Sequence, residues 1–282
     1  MDWFAAALLS AVGLSAQALV YQRLQKHHYP INTYMTWAWL GATAVLAALY
    51  LRPEHIDAIA RNILPLLLSG LSSMAGNYAY NRAIRLQGNI GYVEAIMAWR
   101  LIITYIYSLL LLGAVFEPLR LAGMILIIAG VLAVSGAWRM KTKDLKIAWL
   151  SWALLGGFFF ALLSIFARFA NDDGLSGEVS IIIVLLVAGI GFLGAAIAEK
   201  SSLKIKFSHI HLIIAVIICA VVGNAAQFVS YAKSPNLAYA IAVDNSRIII
   251  LFLVGIMMFS QSWSRAKAIG IALTFAGILL LA

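Results

Sequence analysis

Four ionisable residues stand where the surrounding sequence offers no water: Glu94, Arg100, Asp244 and Arg247. Every other charged side chain falls in or near a gap between apolar runs, whereas these four lie well inside two of them. A charge at the bilayer centre costs at least about 2.5–3.5 kcal/mol on insertion scales, so it must face a partner, water or a ligand. Arginine's planar fork takes a carboxylate or a phosphate bidentately, and an acid removed from water can exchange protons near neutral pH. The chemistry in reach is recognition of a small anionic or zwitterionic solute, with the proton as a candidate coupling ion. The plainer reading is a structural ion pair, since Asp244 and Arg247 are three apart on one helix. Glu94 and Arg100 are six apart, about 240° of helical rotation, so each looks toward a different helix or a cavity.

Neutral polar residues recur at helical spacing in other apolar runs. They form the sets Ser10, Gly13, Gln17 and Tyr21; Asn77, Tyr80 and Asn81; Gly157, Phe160, Ser164 and Arg168; and Asn224, Gln227 and Tyr231. Any one amide serves equally well as interhelical glue or as a ligand contact. As a matched set they favour a wet cavity. The candidate substrate-binding residues are therefore Arg100, Arg247, Glu94, Asp244, Asn77, Asn224, Tyr80, Gln227, Tyr239, Gln17 and Trp99, the last for its place beside Arg100. Arg168 lies near a surface, where its charge can snorkel.

The elements that must position these residues are set by composition. The 282 residues are 63% hydrophobic and 11% charged, which is membrane usage rather than soluble usage. Twenty Lys and Arg against eleven Asp and Glu give +9. The basic residues occupy short gaps, so they read as topology signals, and no nucleic acid is implied. Cys219 is the lone cysteine, which excludes an intramolecular disulfide and a cysteine metal cluster. No cofactor and no metal are expected. The start, MDWFAAALL, has an acid and no base before its apolar stretch, unlike a secretory signal peptide, and reads as the first spanning helix.

A crossing helix needs roughly 20 mostly apolar residues. Ten runs fit, at about 3–22, 33–51, 63–84, 90–112, 119–138, 147–168, 179–198, 210–232, 237–259 and 266–282. The expectation is an all-α membrane protein of ten transmembrane helices around a central cavity. The segment Arg139–Lys146, RMKTKDLK, is the linker between a first repeat, 1–138, and a second, 147–282.

The repeat is visible residue by residue. Gly223, Asn224, Asn236, Tyr239, Ala242 and Arg247 fall without a gap on Gly76, Asn77, Asn89, Tyr92, Ala95 and Arg100, and Gly270 and Gly277 fall on Gly123 and Gly130. Five helices is an odd number, so the second copy must be threaded in the opposite sense. An inverted repeat with a charge at mid-depth in each half is the signature of a secondary transporter. The glycine pairs, seven apart, make small-residue stripes for close helix approach. Alternate gaps hold thirteen Lys and Arg against five on the other side, which places both termini outside under the positive-inside rule.

With those halves and their glycine-spaced last helices, EPLRLAGMILIIAGVL at Glu117–Leu132 and RAKAIGIALTFAGILLL at Arg265–Leu281, the chain resembles the EamA-type branch of the drug/metabolite transporter superfamily. That family has an acidic residue shortly before each such helix. Glu117 supplies it loosely in the first half, while the second half has Ser262, Trp263 and Ser264. The resemblance implies an alternately opening cavity, export or exchange of small metabolites, amino acids or drugs, residence in a bacterial inner membrane, and cytoplasmic termini. This last point opposes the charge distribution.

The leading function is thus a carrier of a small polar metabolite embedded in the lipid bilayer, as a monomer or weak dimer. An intramembrane enzyme on a lipid-linked substrate lacks support: there is no HExxH, no nucleophile beside a base, and all five histidines lie in gaps or at helix ends. A non-transporting subunit would keep the four charges fully paired in a dry interior.

Overall fold

The computed structural model describes residues 1–87, 90–136, 147–259 and 264–282, with the side chains of 255–259 set aside. All regular structure among them is helical. The helices are α1 (Trp3–Lys26), α2 (Ile31–Tyr50), α3 (Ile56–Arg61), α4 (Ile63–Gln87), α5 (Ile90–Met97), α6 (Arg100–Leu111), α7 (Pro118–Ser135), α8 (Ile147–Asp172), α9 (Gly177–Ala198), α10 (Ile210–Lys233), α11 (Leu237–Asn245), α12 (Arg247–Phe259) and α13 (Arg265–Leu281). Among the described residues a helix, or a helix in two pieces, covers most of each expected apolar run.

Among the described residues, seven helical spans are long and apolar enough to cross a membrane, or eight if the bent pair Ile31–Tyr50 and Pro53–Arg61, at 109°, is one. The physical reasons for the shortfall are plain. α13 has 17 residues, and α4, although 25 residues long, carries Asn77, Asn81, Arg82 and Arg85 in its second half. The linker segment 139–146 lies outside the described residues.

Helix ends follow local chemistry. The Asp2 side chain accepts from Ala5 N at 2.7 Å to cap α1, and Asn236 accepts from Ala238 N at 2.9 Å to cap α11. Pro118 opens α7, where its missing N–H is harmless, and Gly136 closes that helix at φ 75°, a left-handed conformation that suits glycine. Within helices, Ser15, Thr36, Thr43 and Thr274 donate to the carbonyl four residues back, the local answer to a hydroxyl in an apolar setting.

The chain forms two compact units. One comprises Met1–Ala75 and Leu162–Lys233, the other Gly76–Ala161 and Ser234–Ala282. Each therefore draws on both halves of the sequence, and α4 and α8 run from one unit into the other. In the first unit, α1 and α10 meet where both lack a side chain: a Cβ on Gly13 would lie 2.6 Å from Gly223 Cα. Gly41 of α2 faces Ile217 of α10, and Gly70 of α4 faces Val187 of α9.

In the second unit, α7 and α13 cross at a double glycine contact. A Cβ on Gly123 would lie 2.8 Å from Gly277 O, and one on Gly277 would lie 2.5 Å from Gly123 O. Gly130 and Gly270 stand in the same reciprocal relation: a Cβ on Gly270 would lie 2.8 Å from Gly130 O. The order of these contacts makes the two helices antiparallel.

Candidate functional site: a buried charge cluster

All four mid-run charges lie in the second compact unit and touch one another through α5, α6, α11 and α12. α5 gives way to α6 at Ala98 and Trp99, and α11 to α12 at Ser246. At both places the backbone tightens into bonds that skip back three residues. Trp99 N donates to Ile96 O at 3.3 Å and Ile102 N to Trp99 O at 3.0 Å; Ser246 N donates to Val243 O at 3.0 Å and Ile249 N to Ser246 O at 2.9 Å. Shifted by 147, the second pair of bonds falls on the first. Such short 3₁₀ stretches inside a helix often mark hinges. Arg100 and Arg247 are the first residues of the helices that resume after them.

The side chains pair crosswise. Arg247 Nη2 donates to both carboxylate oxygens of Glu94, at 2.9 Å each, and the Tyr80 hydroxyl donates to Glu94 Oε1 at 2.7 Å. Arg100 Nη2 donates to Asn245 Oδ1 at 2.7 Å and lies 3.6 Å from Asp244 Oδ2. The same Asp244 oxygen is 3.7 Å from Arg247 Nη1. Asp244 thus lies between two guanidinium groups at Coulombic rather than hydrogen-bonding distance. The Arg100 guanidinium also faces the Phe160 ring at 5.6 Å, a cation–π contact. Two cations and two anions sum to zero, which is how buried charges are tolerated.

Other candidates are placed as follows. Trp99 donates from its indole N–H to Leu154 O at 3.1 Å and lies against Gly157, so it pegs α8 to the start of α6. Asn77 accepts at its carbonyl from Asn81, one turn along α4. Tyr239 stands apart from the charges: its ring is 6.3 Å from that of Tyr105 and faces Arg120, which pairs with Glu117 at 3.1 Å. Gln17, Asn224 and Gln227 belong to the other unit. There Gln17 donates to the Tyr21 hydroxyl at 2.7 Å, Asn224 donates to Ala220 O at 2.9 Å, and Gln227 O accepts from Ser230 at 2.7 Å. Arg168 pairs with Asp172 at 2.8 Å and donates to Tyr231 O at 2.7 Å.

The residue that sequence reasoning missed is Asn245. Its signal was the polar run Asp244-Asn245-Ser246 in the middle of an apolar stretch, three types that bond their own backbone and break helices. Among the described residues no group of three or more His, Cys, Asp or Glu side chains could hold a metal ion.

Residues 1–136 match the EamA-like transporter family. Those residues, a little under half of the chain, are similar to that family. An EamA-like protein is a membrane transporter of the drug/metabolite superfamily, and the apolar helices fit a multi-pass integral membrane protein. The comparison with curated proteins gives no match. A crystal structure of a protein superposes with a TM-score of 0.79 at 15% identity, over 98% of this chain and 97% of that one. At that identity the likeness is one of fold.

Proposed function

We propose that this EamA-like protein is a secondary carrier that exports or exchanges a small polar anionic or zwitterionic metabolite, such as an amino acid, by alternating access. The observation that carries the reading is the buried charge cluster, mounted on two helices that break at positions 147 residues apart. Interrupted helices with charged groups at the break are where such carriers hold substrates. Arg100 and Arg247 supply the positive charge of the anion site, Tyr80 completes the hydrogen bonding, and Glu94 or Asp244 faces an amine or carries a coupling proton. The setting is a bacterial inner membrane.

We further infer ten crossings in two inverted five-helix repeats, 1–138 and 147–282. Contacts within each compact unit support this. The meeting of Gly13 with Gly223, moved by 147 in opposite directions, becomes that of Phe160 with Gly76, where a Cβ on Gly76 would lie 2.9 Å from the Phe160 ring. The contact of Gly41 with Ile217 becomes that of Ala188 with Gly70, and Gly70 faces the adjacent Val187. The reciprocal glycines of α7 and α13 map onto each other.

The pairing of Arg247 with Glu94 also fits a non-transporting subunit, and transport decides between the two. Purified protein in proteoliposomes, preloaded with amino acids, organic acids or sugar phosphates, is expected to show counterflow of at least one of them. Arg100→Ala and Arg247→Ala are each expected to lower it at least about tenfold, the scale of one charged hydrogen bond. Unchanged counterflow in both well-folded variants would remove the assignment.

A further inference from the structure

The two arginines are repeat-related in sequence yet differ in what surrounds them. Arg247 is committed: Glu94 accepts from it with both oxygens, and Tyr80 holds Glu94 in turn. Arg100 also bonds through Nη2, but to a neutral acceptor, Asn245 Oδ1, with Asp244 at 3.6 Å. Among the described residues its Nε and Nη1 hydrogens meet no acceptor, although the residue is 4% exposed. Asn245 repeats the pattern. Its Oδ1 faces Arg100, which fixes the orientation of the amide, so its Nδ2 points the other way. Nδ2 is a buried donor with no partner among the described residues, in a side chain 7% exposed. Buried donors are nearly always satisfied, and an orphan calls for a ligand, an ion or water. Here the buried orphan is Asn245 Nδ2, on a side chain already bonded to Arg100.

We propose that Arg100 and Asn245 together form the carboxylate-binding subsite of the carrier, and that Arg247 is a positioning residue whose partner is Glu94. The proposal rests on the carrier reading above and assigns its anion site to one arginine. Three leftover donor groups, Arg100 Nε and Nη1 and Asn245 Nδ2, are all N–H. They suit an acceptor-only group with two oxygens, and the planar guanidinium matches a planar carboxylate. The Arg100 guanidinium carbon lies over the Phe160 ring at 5.6 Å from its centroid. A phosphate dianion would bring twice the charge into a cluster that is already neutral, so the geometry and the charge sum both favour the carboxylate.

The test uses the full chain in proteoliposomes with three sets of labelled probes: amino acids, mono- and dicarboxylates of two to six carbons, and sugar phosphates. The wild type is expected to exchange a carboxylate probe, and the carboxamide of that probe is expected to compete at least about tenfold more weakly, since it presents a donor where the site offers donors. Asn245→Asp keeps the oxygen that Arg100 needs and replaces the N–H₂ by an anionic oxygen. It is expected to raise KM about tenfold or more while Tm holds, whereas a merely structural asparagine would tolerate it without a change in KM. Arg100→Lys keeps the charge, loses the fork, and is expected to raise KM similarly.

Unchanged KM in both variants, or equal competition by the carboxamide, overturns the subsite. Exchange of sugar phosphates in place of carboxylates overturns the ligand class. A wild-type protein that moves none of the three sets overturns the carrier reading itself, which is a different result.

Discussion

Arg247 reaches both carboxylate oxygens of Glu94 with a single nitrogen, at 2.9 Å each, and this pair joins α5 to α12 across 153 residues of sequence. Removing one member of a buried pair strands the other, which typically costs about 3–5 kcal/mol, whereas replacing both by apolar residues is often neutral. Glu94→Leu and Arg247→Met are each expected to lower the thermal midpoint of the purified protein. The double variant is expected to recover more than about 1 kcal/mol of the summed loss. Additive losses in melts followed by tryptophan fluorescence would show that the two residues act independently.

Tyr80 donates to Glu94 Oε1 at 2.7 Å from a side chain that is otherwise buried. Tyr80→Phe removes the hydroxyl and little else. The expected loss is about 1–2 kcal/mol, the scale of a hydrogen bond to a charged group, read in the same melts. No change in the melt would mean that Glu94 is held by Arg247 alone.

Glycines divide sharply by what their missing Cβ would meet. Gly270→Ala drives a methyl to 2.8 Å from Gly130 O and Ala133 Cβ, and backbone on the far side cannot step away. An overpacking cost of about 1–3 kcal/mol is expected. Gly194, in α9, has nothing within 4 Å of its Cβ site, so Gly194→Ala is expected to be neutral or slightly stabilising. Equal melts for the two variants would argue against the α7–α13 crossing.

The thirteen-to-five split of basic residues between alternate gaps predicts that both termini lie outside. In a Cys219→Ser background, Ala282→Cys is expected to react with an impermeant maleimide on intact cells. Labelling only after permeabilisation reverses the orientation.

The helices were legible because apolar run length dictates them: each expected run is largely helical over its described residues, and Pro118, Asn236 and Asp2 mark ends as their chemistry requires. That Glu94, Arg100, Asp244 and Arg247 belong together was legible from their burial cost. Which acid meets which arginine was not. The helical spacing of Asp244 and Arg247 invited a local pair, yet the tighter bond runs from Arg247 to Glu94, chosen by side-chain reach between helices that sequence spacing does not encode. The break after Met97 was silent too, since Ala98 and Trp99 carry no helix-breaking chemistry. Its counterpart at Ser246 had the hint of Asp244 and Asn245.

Those two tightened turns have a mechanical meaning. A 3₁₀ turn winds about 120° per residue and an α turn about 100°, so relaxing three residues from one to the other swivels whatever follows by roughly 60°. The guanidinium forks are bolted to the first residue beyond each swivel, while Glu94 and Asp244 are fixed just before it. A modest rewinding would therefore re-aim a fork past its acid with the amide ladder intact, and a fluorine label at Tyr105 would register the twist.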